Sequence, residues 1–157
     1  AEIELVIKEI GEQVAARLRH HHKLAACISL RVGFSYAASQ ADGRGGFVQA
    51  QRIDPTNSNK ALTATLVWLF RQNWAGQAVR NLAVYGSRLH PDTGFQLSLF
   101  APPRQQVKQQ RVNSLVDQIR DRFGFTALVY ASSLLNGGTA IERASLVGGH
   151  NGGNSYE

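Results

Sequence analysis

The sequence predicts an α+β fold, a small antiparallel sheet with two helices on one face, followed by a C-terminal helix and an extension. Three observations predict it. Apolar residues recur at helical spacing in three stretches, alternate at period two in three others, and are separated by breaks rich in Gly, Asn and Pro. At 157 residues and 43% hydrophobic content the chain suits one domain with an extension.

"EIELVIKEIGEQVAARLRHHH" reads as the first helix, because Ile3, Ile7, Ile10, Val14 and Leu18 make one apolar stripe. Glu2 and Glu4 near its start, with Arg17 and Arg19 near its end, complement the helix dipole. Gly11 is a mild weak point. "ACISLRVGFSYA" alternates: Ile28, Leu30, Val32 and Phe34 face one way and Ser29, Arg31, Gly33 and Ser35 the other. "SQADGRGG" is a turn, and "FVQAQRI" a second strand, which makes 28–53 a hairpin with a long loop. There Val48, Ala50 and Arg52 share a side, with the register open.

"DPTNSNKALTATLVWLFRQNW" is the second helix, capped by Thr56, Asn57 or Ser58 and stopped by Gly76. Its buried stripe is Leu62, Leu66, Leu69 and Phe70. "VRNLAVYGSRL" is a third strand, with Leu82 and Val84 inward and Asn81, Ala83 and Tyr85 outward. "RQQVKQQRVNSLVDQIRDRFG" is a third helix, burying Val112, Leu115, Val116, Ile119 and Phe123 and ending at Gly124. "FTALVYASSLL" fits either kind of element, and the six-glycine end is expected to be mobile or irregularly wrapped. Residues 1–92, 93–104 and 105–157 form three successive units in this reading.

Net charge is +6, unevenly spread. Residues 1–12 carry −3, residues 13–91 carry +8, and residues 92–157 carry +1. Localised positive charge suits a polyanion such as nucleic acid. The polar, basic side of the sheet is therefore either a binding surface or simply solvated, as antiparallel sheets tolerate. No apolar run reaches the roughly 18 residues of a membrane span. A single cysteine, Cys27, leaves no internal disulfide framework and fits a reducing compartment. Methionine is absent, and the missing initiator is what a piece of a longer chain would show.

Candidate chemistry is sparse. His20, His21 and His22 are consecutive on a helix and point in three directions, so they read as a basic terminus rather than as chelators. Asp42 and Asp54 flank the hairpin, and Asp117 and Asp121 read as a solvated face salt-bridged to Arg120 and Arg122. No serine sits in a GxSxG turn, and "GGHNGG" lacks the helix and Lys of a phosphate loop. The chain reads as a binder rather than a catalyst. "GFQLSLFAPP" packs four large apolar side chains between breakers, too short for a helix and too apolar for an ordinary loop. It either packs at home, as an edge strand or under the third helix, or serves another protein.

"RVGFSYA", "GGFVQAQRIDPTNSN", "VRNLAVYGSRL", "FQLSLF", "DQIRDRFG" and "GGTAIERASLVGGH", in this order, resemble the C-terminal part of UmuC-like Y-family translesion DNA polymerases, the ImpB/MucB/SamB group. The resemblance covers essentially the whole chain and implies a little finger with a C-terminal extension. It implies a four-stranded sheet whose open face grips primer–template DNA. This sequence begins at the first helix, so three strands are expected, with an edge that could pair with a second copy.

It implies no cofactor here, because the Mg2+-binding carboxylates of nucleotidyl transfer would lie upstream in the parent's palm. It implies a cytoplasmic, nucleoid-associated protein without membrane partners. Carried over by position, Ser29, Arg31, Ser35, Arg52, Arg80, Asn81, Tyr85, Ser87 and Arg88 would meet the DNA, fixing position without reading sequence. The family often has a basic residue where Asn81 stands. Gln96, Leu97, Ser98, Leu99 and Phe100 resemble the bacterial sliding-clamp motif. Leu99 and Phe100 would each bring ~1.5–3 kcal/mol before ordering costs. Two other classes stand beside this reading: a protein–protein adaptor of a repair complex with an incidental basic sheet, and an independent enzyme, for which no site is visible.

Overall fold

The computed structural model describes residues 2–94 and 102–146. The first helix, α1 (Glu2–His20), leads into β1 (Lys23–Phe34), a helix of about two turns, α2 (Tyr36–Asp42), and β2 (Gly46–Thr56). Then come α3 (Asn59–Asn73), β3 (Val79–Pro91) and α4 (Pro103–Phe123). Two short 3-10 turns at Phe125–Ala127 and Ala131–Leu134 precede α5 (Ala140–Arg143). The sheet is antiparallel and three-stranded, as the sequence predicts, and its strand order is β2-β1-β3.

Period-two alternation sends Ile28, Leu30 and Val32 of the central strand into the core, where all three are fully or almost fully buried. They meet Ile7, Ala15 and Leu18 of α1 and Leu62, Leu66, Leu69 and Phe70 of α3 in one apolar cluster. Gly11 is more than a weak point. A Cβ there would lie 2.8 Å from the Leu66 methyl and 3.2 Å from that of Thr63, so glycine lets α1 and α3 approach closely.

Several local readings change. The first strand stops at Phe34 rather than at Ala37, and the supposed turn holds α2, capped by the Ser35 hydroxyl, which accepts from the Ala38 N–H. At the start of α3 Ser58 occupies the cap position without a side-chain bond, while the Thr56 hydroxyl accepts from the Ser58 N–H. That helix ends before Gly76, at Asn73, with Trp74 stacked on Phe70 at 4.9 Å.

The largest correction concerns α4. Val112, Leu115 and Phe123 of its expected buried face are 43%, 56% and 66% exposed, whereas Asn113 and Arg120 are buried. Asp117 is not paired with its helix neighbours. Its carboxylate takes two hydrogen bonds from the Arg19 guanidinium of α1, at 2.5 and 2.9 Å. Arg19 also donates to the Asn57 carbonyl and the Asn59 side chain, both at 2.8 Å, and Asn59 donates to the Tyr130 hydroxyl. Arg120 lies over the Phe125 and Tyr130 rings and donates to the Leu128 carbonyl.

Farther along, Thr139 donates its N–H and hydroxyl to buried Glu9 of α1. Residues 124–146, one end of which was expected to be irregular, are thus packed on the outer side of the helices through a polar interface.

Glu12, on α1 within this interface, has its carboxyl raised to about 7, mainly by burial and against the opposing pull of Arg120. Because the folded protein holds the proton more tightly than the unfolded chain, this group favours folding below about pH 4.5. That contribution fades as pH rises through 7. Thermal melts should show Glu12→Gln more stable than the parent at pH 8, with the difference vanishing by pH 4. Gly11→Val should lose about 1–3 kcal/mol in denaturant titrations, because overpacking forces the two helices apart.

Candidate nucleic-acid interface

Residues directly opposite one another in an antiparallel ladder share a face. On the side away from α1 and α3, the register stacks four rows: Arg52, Cys27 and Ser87; Ala50, Ser29 and Tyr85; Val48, Arg31 and Ala83; Gly46, Gly33 and Asn81. Six of the nine expected DNA-facing residues therefore lie together: Ser29, Arg31, Arg52, Asn81, Tyr85 and Ser87. All are exposed except Ser29, which is half-buried between its neighbours.

The other three lie elsewhere. Ser35 is past the strand end, its hydroxyl engaged as the α2 cap. Arg80 occupies a bulge, between the pairs Gly33 with Asn81 and Phe34 with Val79, and leans on the Tyr36 ring at 5.7 Å. Arg88 has left-handed backbone (φ 52°), which takes it out of the strand's alternation.

Small side chains keep this face low. Cys27, Ser29, Gly33, Ala50, Ala83 and Gly46 leave the backbone close to the surface, with Arg31 and Arg52 rising from it. The Asn81 side chain lies across Gly33, where a Cβ would fall 2.2 Å from its amide oxygen. The four rows carry two guanidinium groups and no carboxylate, and exposed Asp54 stands two residues beyond Arg52 on the same strand. It can offer charge-assisted hydrogen bonds to phosphate oxygens, hydroxyl donors from Ser29 and Ser87, and a flat aromatic at Tyr85.

Sequence reasoning missed two members of this neighbourhood. Val48, 61% exposed, stands opposite Arg31, and only the strand register assigns it there. Tyr36, 78% exposed, was read as the end of a strand. The Ser35 cap followed by two alanines is the helix signal that could have found it.

Among the described residues no group of three or more His, Cys, Asp or Glu could hold a metal ion. Asp42 pairs with Arg44 at the hairpin end, Asp117 with Arg19, and His20 meets His21 edge to face. No described helix is long and apolar enough to cross a membrane. Residues 96–100, carrying Gln96, Leu97, Ser98, Leu99 and Phe100, lie outside the described residues.

The chain is 36% identical over 150 residues to the putative UV-damage repair protein UvrX of Bacillus subtilis. It is 35% identical to DNA polymerase IV 2 of the same organism and 30% identical to DNA polymerase IV 2 of Halalkalibacterium halodurans. Each match covers 95% of this chain and 35% of the relative, so the chain spans about a third of these proteins' length. No solved structure matches. Residues 1–99, which include every strand and the helices that cover the sheet, match the model of the impB/mucB/samB family C-terminal domain. By that match, and by relatives that are repair proteins and polymerases, the chain belongs to the impB/mucB/samB family as its C-terminal domain.

Proposed function

We propose that this domain grips duplex DNA with the open face of its sheet and tethers a translesion polymerase to a bacterial sliding clamp through residues 96–100. The observation that supports the grip most directly is the register that gathers Arg31 and Arg52 on one face among small side chains. A low surface lets the sugar–phosphate backbones come close, and guanidinium groups hold phosphates without regard to base identity. A polymerase that must accept damaged templates needs that indifference. Nucleotidyl transfer and its Mg2+ belong, in this reading, to the part of the parent protein outside this chain.

The tether rests on the pentapeptide. A clamp pocket would take Leu99 and Phe100, while Gln96 makes polar contacts at its rim. Burial of two side chains gives modest affinity, suited to exchange between polymerases. Among the described residues the outer edges of β2 and β3 pair with no strand, and they offer a place for a second copy to add one. The adaptor reading draws on Val48 and Tyr85, exposed apolar groups beside the arginines that suit a protein partner. Salt separates the two: phosphate contacts weaken steeply with ionic strength, apolar contacts do not.

Arg31→Glu/Arg52→Glu should abolish tight duplex binding in fluorescence anisotropy. The milder Arg31→Ala/Arg52→Ala should flatten the salt dependence by about two units of slope, one per lost cation. Melting temperature should not move in either variant, since both side chains are exposed. Unchanged DNA affinity in both would remove the sheet face as the binding site. Leu99→Ala/Phe100→Ala should lose clamp binding in a biosensor assay while DNA affinity stays at the parent value. A clamp signal as strong as the parent's would rule out the tether.

A further inference from the structure

The outward side of α4 (Pro103–Phe123) combines cations with exposed apolar side chains. This helix turns Asn113, Asp117 and Arg120 toward α1 and the turns that follow, keeps Val116 and Ile119 half-buried, and leaves Val112, Leu115 and Phe123 exposed. Arg104, Lys108, Arg111 and Leu115 follow at spacings of four, three and four and form one stripe, flanked by Val107 and Val112. Arg122 continues the stripe seven residues on and lies over the exposed Phe123 ring at 5.3 Å. The stripe holds four cations and no carboxylate. Asp117 is held by Arg19 on the inner side, and Asp121 sits about a third of a turn away from Leu115.

Exposed Val112, Leu115 and Phe123 beside such a row of cations mark a docking surface. Its composition narrows the occupant. A second copy of this chain would set four cations against four. Nucleic acid would pair the cations but offers little apolar surface for Val112, Leu115 and Phe123. The fitting partner is a protein surface with an apolar centre and carboxylates around it. Position narrows it further. Pro103 opens the helix three residues after Phe100, and three residues span at most about 11 Å. Whatever protein takes residues 96–100 therefore lies against the basic end of α4.

We propose that the exposed face of α4 is a second contact on the sliding clamp, docking on an acidic, apolar-centred surface beside the pocket for the pentapeptide. This rests on the clamp reading above. The second contact fixes the orientation of the tethered domain, which a five-residue peptide alone leaves free.

The test measures binding of the full chain to a purified bacterial sliding clamp. Leu115→Ser/Arg111→Glu should weaken it about tenfold and flatten its salt dependence. Melting temperature and duplex DNA affinity should match the parent, and Val112→Ser should move clamp binding in the same direction. Parent-like clamp affinity in both variants, with melting unchanged, overturns the proposal. So does a fall in DNA affinity that tracks the charge reversal, because the stripe would then serve DNA. Leu99→Ala/Phe100→Ala is the control. If it binds the clamp as tightly as the parent, the underlying clamp reading is the one that fails. If it loses binding while the α4 variants do not, the second contact alone is wrong.

Discussion

The arrangement of this molecule depends on one guanidinium group. Arg19, near the end of α1, donates to both oxygens of Asp117, to the Asn57 carbonyl and to the Asn59 amide oxygen. It thereby joins α1 to the start of α3 and to α4, across 98 residues of sequence in the case of Asp117. The pair is mostly shielded from water, with side-chain exposures of 14% and 17%. A shielded ion pair gains little over an apolar contact of the same shape, but removing one partner leaves a charge without compensation. Its value here is positional. It selects the polar side of α4 as the inner one and holds residues 124–146 on the outer side of the helices.

That choice determines what both surfaces of the domain can do. Because the C-terminal elements pack outside α1, through Glu9, Asn59 and Tyr130, none of their described residues contributes to the four rows of the open sheet face. Helices α1 and α3 thus lie between a basic, flat sheet and a polar third layer. The sheet face is low and carries Arg31 and Arg52 among small side chains, which suits an extended polyanion. The α4 face is suited to a protein, since it mixes cations with large apolar groups. The two surfaces lie at opposite sides of one short core. Such a domain can hold a duplex on one side and a second macromolecule on the other without either displacing the other.

The third layer is also where the fold is least apolar. Glu9 is buried with one carboxylate oxygen that has no hydrogen-bond partner among the described residues. Burial holds the Glu12 carboxyl up at about 7, and also raises the Tyr130 hydroxyl and lowers the Arg143 guanidinium. Interfaces built from such groups are weaker and more responsive to conditions than the Ile28, Leu30 and Val32 core.

The sequence by itself determined the three strands, the three long helices and the inner face of the sheet. Ile28, Leu30, Val32, Leu82 and Val84 alternate with polar or small residues, and a period-two pattern leaves only one way to bury them. The ordered set of family motifs was equally legible, because it depends on residue identity and order alone. Tertiary structure decided the rest. Val48 came opposite Arg31 only through strand pairing, since β2 is an edge strand exposed on both sides in its middle and carries no alternation strong enough to set a register. Arg80 and Arg88 left the expected face because a bulge and a left-handed residue interrupt β3, and neither has a signature in composition. The inversion of α4 was illegible for a deeper reason. Helical periodicity assumes that the apolar side goes inward, whereas here a charge on another helix, distant in sequence, held the polar side against the core.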